Sequence, residues 1–178
     1  MAKLMRMAGC RLVSIGIESG SQEMLNKMEK KITLAQSKGA IKILKKADLA
    51  SFANYIVGLP WETKETIEET VRFSIELDSD YANFFIAAPL PGTKFYEYAV
   101  QNNLFSQGES NKEELYDNSY VYPIAKGHYL DRNEIVKLQR KATRHFIYRP
   151  KYIFKTFKSI HSLNELKRYL KYWFINYL

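Results

Sequence analysis

The chain has 178 residues, of which 46% are hydrophobic and 26% charged, with five prolines, eight glycines and a net charge of +8. That composition excludes a disordered, collagen-like or low-complexity chain and leaves room for one domain with a real core. No apolar run approaches the roughly 18 residues that a membrane-crossing helix needs. The opening residues, Met1 to Ala8, are too short and too regularly charged for a secretory signal, so a cytosolic protein is expected.

A single cysteine, Cys10, excludes a disulfide framework. It also excludes an all-thiolate metal or iron–sulfur site made by this chain alone, because such sites take three or four thiolates. His128, His145 and His161 are far apart and show no ligand spacing. The positive charge is concentrated at the back. Residues 1–130 hold 15 basic and 16 acidic residues, whereas residues 131–178 hold 12 basic and 3 acidic ones, together with ten aromatics.

In chain order, Met1 to Ala8 has helical composition and stops at Gly9, suited to a helix end. Residues 11–17 are short, apolar and β-branched, as a buried parallel strand should be. Ser19 with Gln22 has capping-box spacing, which predicts a helix to about Lys30. Thr33 with Gln36 repeats the signal for a helix to about Ala47. Residues 52–57 form the second expected strand, closed by Gly58-Leu59-Pro60. A helix follows from Thr63 to about Leu77, with Glu65, Glu68 and Glu69 favouring its N-terminus. Residues 81–87 read as the third strand, and Pro89-Leu90-Pro91-Gly92 turns it into a helix from Thr93 to about Asn102.

This strand–helix rhythm implies right-handed βαβ units and a parallel sheet. The remainder divides into a turn-rich connector over 106–130 and a basic, aromatic helical tail over 131–178. In the tail, Asp131 with Glu134 opens one helix to about Tyr148, a second covers 151–159, and Ser162 with Glu165 opens a last one. Three parallel strands leave two open edges, which invite pairing with another chain unless the helical tail wraps the exposed side.

The run Ala8-Gly9-Cys10-Arg11-Leu12-Val13-Ser14-Ile15-Gly16-Ile17-Glu18-Ser19-Gly20-Ser21 closely resembles the middle of radical S-adenosylmethionine (SAM) enzymes. The likeness is strongest to the branch with an N-terminal cobalamin-binding domain. Lys30-Lys31-Ile32-Thr33, Val57-Gly58-Leu59-Pro60-Trp61-Glu62-Thr63 and Pro91-Gly92-Thr93 agree in order and spacing, and residues 140–150 look like the helix that follows the barrel in that branch.

The resemblance implies an α/β fold, a partial (half) TIM-like barrel of three parallel βα units over residues 1–105, followed by a helical C-terminal region. These strands would be the fourth to sixth of a (β/α)6 barrel. The CxxxCxxC loop that holds the family's [4Fe–4S] cluster follows its first strand and is not found here, nor is a cobalamin-binding domain. Cluster and cobalamin are therefore expected only in the complete family enzyme. There the cluster reduces SAM and releases a 5′-deoxyadenosyl radical, for methyl transfer or rearrangement. The chain reads as a C-terminal fragment that would bind SAM and would not be catalytic alone.

The same resemblance names site residues. Glu18, just past a strand end, would accept hydrogen bonds from the ribose hydroxyls of SAM; the plainer alternative is support of the next helix N-terminus. Lys30 would face the methionyl carboxylate, against a solvated lysine beside Lys31. Asn54 would contact the nucleoside, against a buried amide satisfied by backbone. Gly58 would let the backbone approach adenine, against a simple strand-ending turn. Ala88 would offer a backbone contact to adenine, against a small packing residue. Two departures stand out: Asp48 replaces a usual glycine, implying a different turn, and Trp61 replaces another, filling space or restricting the adenine side.

Leu163, Leu166, Leu170, Trp173, Phe174 and Tyr177 recur at helical spacing with Lys167, Arg168 and Lys171. Packing against the sheet is the plain reading of residues 162–178, and contact with an anionic membrane surface is the sharper one. Nucleic acid ranks last, since no RNA-module signature is present. The other expected partner is the missing N-terminal half, or self-association through the open sheet edges. The competing function is a non-catalytic binding module.

Overall fold

A computed structural model describes residues 1–105 and 125–159, together with Ser162 and Lys167. The connector from 106 to 124 and the last expected helix lie outside the described residues. So does the amphipathic pattern of residues 162–178, apart from Ser162 and Lys167.

The element order is α1 (Ala2–Met7), β1 (Leu12–Glu18), α2 (Gln22–Lys27), α3 (Leu34–Lys46), β2 (Ala50–Val57), α4 (Lys64–Leu77), β3 (Tyr81–Ile86), α5 (Lys94–Gln101), α6 (Arg132–Ile147) and α7 (Pro150–Ser159). The strands form a parallel sheet in the order β1-β2-β3. This is the α/β half-barrel with a helical C-terminal region that the sequence implied.

Alternation along the strands sorts side chains onto two faces. Ser51, Ala53, Tyr55 and Val57 are buried on one side of β2, and Phe84 and Ile86 on the same side of β3. There they meet Ile67, Val71, Phe73 and Leu77 of α4 and Ile135, Leu138, Ala142, Phe146 and Ile147 of α6 in one core. Among the described residues the other face is open. Its rows follow the register, with Ser14, Phe52 and Tyr81 in one and Gly16, Asn54 and Asn83 in the next.

One face of α6 is therefore core, with Tyr152 of α7 packed against it. α6 covers the helix side of β3, and Gln139 Nε2 donates to the Phe84 carbonyl at 2.9 Å, satisfying an acceptor on that strand. Arg149, between α6 and α7, stacks 3.7 Å from the Phe146 ring centroid and donates to Asp78 and to the Ser79 carbonyl.

Two capping signals hold: Thr33 with Gln36, and Asp131 with Glu134, form reciprocal capping boxes, and the helix expected from Thr63 opens with a further box of Thr63 with Thr66. The first signal does not. Ser21, not Ser19, is the N-cap of α2, and α2 ends at Lys27 rather than near Lys30. The Ser19 hydroxyl is engaged elsewhere, as described below. Asp48 also corrects an expectation. It takes the left-handed conformation itself (φ 56°) and binds Arg6 at 2.7 Å, so aspartate occupies the backbone geometry a glycine would supply.

Candidate functional site

The carboxyl ends of parallel strands collect loops that can meet a ligand. In β1 that end is irregular. Pairing steps from Gly16 opposite Asn54 to Glu18 opposite Tyr55, so Ile17 is an extra residue in the ladder. Glu18 then adopts φ 66°, in the left-handed region. Its side chain folds back over the open face, where a Cβ on Gly16 would lie 2.3 Å from Glu18 Oε1. A side chain at position 16 would displace this carboxylate from where it lies.

Lys30 reaches the same place from the loop before α3. Its Nζ lies 2.9 Å from Glu18 Oε1, with the Glu18 side chain 14% and the Lys30 side chain 45% exposed. Asn54, the register partner of Gly16, donates through Nδ2 to Ser14 Oγ at 2.8 Å. Three of the five residues named from the sequence thus gather on one patch of the open face, although Lys30 and Glu18 are paired with each other.

Gly58 and Ala88 lie along the adjoining rim. The Ala87 N–H donates to the Val57 carbonyl at 2.7 Å, which carries the β2–β3 pairing past Ile86 and brings Ala88 alongside the Gly58 turn. Gly58 has φ 85°, and a Cβ there would meet Ile135 Cγ2 at 2.7 Å. The glycine is required by the approach of α6 as well as by its own backbone.

Glu62 shapes that turn, and no role was read for it from the sequence. Its Oε2 accepts from the Gly58 N–H at 2.6 Å and the Leu59 N–H at 3.0 Å. The side chain is fully buried, and Oε1 has no hydrogen-bond partner. Burial pushes its carboxyl up to about 7, against the lowering effect of the Leu59 and Gly58 N–H groups. A carboxylate four residues after a turn glycine could have signalled this brace.

Trp61 packs edge-on against Tyr98 of α5 at 5.2 Å between centroids, so it fills space beside the rim. Tyr98 Oη lies 2.7 Å from His128 Nε2, and the His128 N–H donates to the Pro60 carbonyl. Lys94, at the start of α5, binds both carboxylate oxygens of Glu29 at 2.8 Å. The helix after β3 is thereby tied to the loop that carries Lys30.

The residues present do not fit a [4Fe–4S] cluster at this rim. Cys10 precedes β1, and its Sγ donates to the Leu12 carbonyl at the opposite end of the strand from Glu18. At about 3.3 Å per residue that is on the order of 20 Å away. Among the described residues no group of His, Cys, Asp and Glu could hold a metal ion. The polar patch around Gly16, by contrast, gathers an acceptor carboxylate, a cation and an amide in one neighbourhood.

Residues 1–74 match the model of the radical SAM superfamily. This part of the chain belongs to the radical SAM superfamily. A Pyrococcus horikoshii protein described as an uncharacterized methyltransferase is 41% identical over 155 residues, covering 87% of this chain and 33% of that protein. The anaerobic magnesium-protoporphyrin IX monomethyl ester cyclase of Cereibacter sphaeroides is 36% identical over 137 residues, covering 76% of this chain and 21% of the cyclase.

Among solved structures, the coproporphyrinogen III oxidase of Escherichia coli, described as a radical SAM enzyme, aligns with a TM-score of 0.55 at 17% identity, over 82% of this chain and 28% of that one. That likeness is one of fold. The chain thus spans a third or less of each of these proteins. Among the described residues no helix is long and apolar enough to cross a membrane.

Proposed function

We propose that the open face at the carboxyl ends of β1 and β2, with the segment after β3, is the SAM-binding side of a radical SAM active site. Glu18 accepts from the ribose hydroxyls. Lys30 leaves Glu18 to pair with the methionyl carboxylate. Asn54 contacts the nucleoside, and the backbone at Gly58 and Ala88 borders the adenine. The observation that carries this reading is the Glu18 carboxylate, held over Gly16 by a left-handed backbone beside Asn54. A carboxylate placed so, in a chain matching this superfamily, is better suited to a diol than to supporting a helix. The N-cap of α2 is Ser21, three residues on.

The cluster ligands come, on this reading, from further βα units paired along the edge of β1 that no described strand covers. There Leu12 is 47% exposed, and the neighbouring face of α1 presents Leu4 and Met7 to solvent. A parallel strand and its helix laid on that edge would bury both. Cobalamin is given no residue of this chain. The relatives described as a methyltransferase and a cyclase favour radical methyl transfer or rearrangement as the reaction of the completed enzyme.

Titration of the labelled chain with SAM, followed by amide NMR, tests the pocket. Saturable shifts at Glu18, Lys30, Asn54, Gly58 and Ala88 are expected. Shifts confined to the helix-covered face would contradict it.

A further inference from the structure

The conformation of Glu18 has a cause on the other side of the sheet. Directly after it the chain passes beneath α4, where Ser19 is fully buried, as are Gly20 and Thr70. A Cβ on Gly20 would meet Phe73 Cβ at 2.5 Å, Thr70 Cα at 2.6 Å and the Glu69 carbonyl oxygen at 2.8 Å, so only glycine passes here. The Thr70 hydroxyl sits at the centre of the contact. Its Oγ1 lies 3.0 Å from Ser19 Oγ, accepts from the Gly20 N–H at 3.0 Å and donates to the Thr66 carbonyl at 3.2 Å.

With the single Thr70 hydroxyl hydrogen on the Thr66 carbonyl, the Ser19 hydroxyl donates to Thr70, the arrangement that leaves neither hydroxyl hydrogen unused. Ser19 Oγ in turn accepts from the Ser21 N–H at 3.1 Å. Every polar group in the cluster is then satisfied, out of water, where leaving one unmade costs most.

We infer that Thr70 is a positioning residue for the SAM site. By pinning Ser19 and Gly20 under α4 it obliges the chain to reverse at Glu18, and the left-handed backbone there throws the carboxylate back over Gly16 onto the open face. A non-glycine residue in that region persists only where its surroundings over-determine it, and the Thr70 cluster is what does so. The inference deepens the proposal that Glu18 holds the ribose, and it adds a residue that lies across the sheet from the ligand and outside every motif read from the sequence.

The test uses the full chain with Thr70→Val, which keeps the shape and removes both acceptor roles, and Thr70→Ser, which keeps the hydroxyl. One readout needs no ligand. The strong intraresidue amide–Hα cross-peak that a positive φ gives at Glu18 should persist in wild type and Thr70→Ser and vanish in Thr70→Val. A Glu18 that keeps this signal in a folded Thr70→Val overturns the inference, whatever SAM does.

The second readout is SAM affinity. Thr70→Val should lower it by about tenfold and Thr70→Ser should restore it. Thr70→Val added to Glu18→Gln should cost nothing more, because both act through one carboxylate. Full additivity overturns the inference, while a Glu18→Gln that binds SAM as well as wild type overturns the ribose role and leaves the cross-peak to judge Thr70. If Thr70→Val does not fold, Ser19→Ala removes the bonds of the Ser19 hydroxyl to Thr70 and to the Ser21 N–H and carries the same two readouts.

Discussion

Lys30 Nζ stands 2.9 Å from Glu18 Oε1, so the two charged groups proposed for opposite ends of SAM neutralise each other when the patch holds nothing else. Lys30 is nearly half exposed and Glu18 mostly covered, which makes lysine the partner free to leave. A ligand bringing its own carboxylate and diol replaces one ion pair with two better-matched contacts.

That exchange separates two ligands. Lys30→Met should weaken SAM by about tenfold, a charge-assisted bond's worth. It should leave 5′-deoxyadenosine, which has no carboxylate, within about twofold of its wild-type affinity. Glu18→Gln should weaken both. Calorimetric titration of the three proteins with the two ligands checks the pattern, and an equal loss for both ligands in Lys30→Met would contradict the assignment.

Glu62 gives a pH dependence whose sign follows from its environment. In the fold its carboxyl is raised from 4.5 to about 7. Between those values the folded chain keeps a proton that the unfolded chain has released. Stability is therefore fully present below about pH 4.5 and declines as pH rises through about 7. The whole effect is on the order of 3 kcal/mol. Urea unfolding across pH 5–8 is expected to show the decline in wild type. Glu62→Gln keeps an acceptor for the Gly58 and Leu59 N–H groups and cannot ionise, so its profile over that window should be nearly flat.

Gly58 is held by two separate constraints. Gly58→Ala must adopt φ 85° and must also displace Ile135 Cγ2. A loss of about 2–3 kcal/mol is expected by chemical denaturation. In an Ile135→Ala background the same change should cost only about 1 kcal/mol, the backbone part alone. An unchanged cost in that background would mean that α6 does not press on the turn.

The sequence made the architecture legible because strand and helix periods, and capping pairs such as Thr33 with Gln36, are local signals. Glu18, Lys30 and Asn54 were named because they stand in or beside motif blocks, and the structure brings those three together. What stayed hidden depends on contacts between distant segments. Ser19 looked like a helix cap, yet its hydroxyl is spent on Thr70, 51 residues away. Glu62 stood only inside a motif block with no role of its own, because its buried bonds to the Gly58 and Leu59 N–H groups are made by the folded turn. Asp48 implied a different turn, since no local rule shows that Arg6 lies beside it.

The central claim is that this chain carries the SAM-facing surface of a radical SAM barrel on the carboxyl ends of β1 and β2. Amide NMR of the labelled chain during a SAM titration tests it most directly. Saturable changes are expected at Glu18, Lys30 and Asn54, on the Gly16 side of the sheet, and should be reduced in Glu18→Gln. Saturable binding whose shifts fall elsewhere and are untouched by Glu18→Gln, or an absence of any change at millimolar SAM, would contradict it.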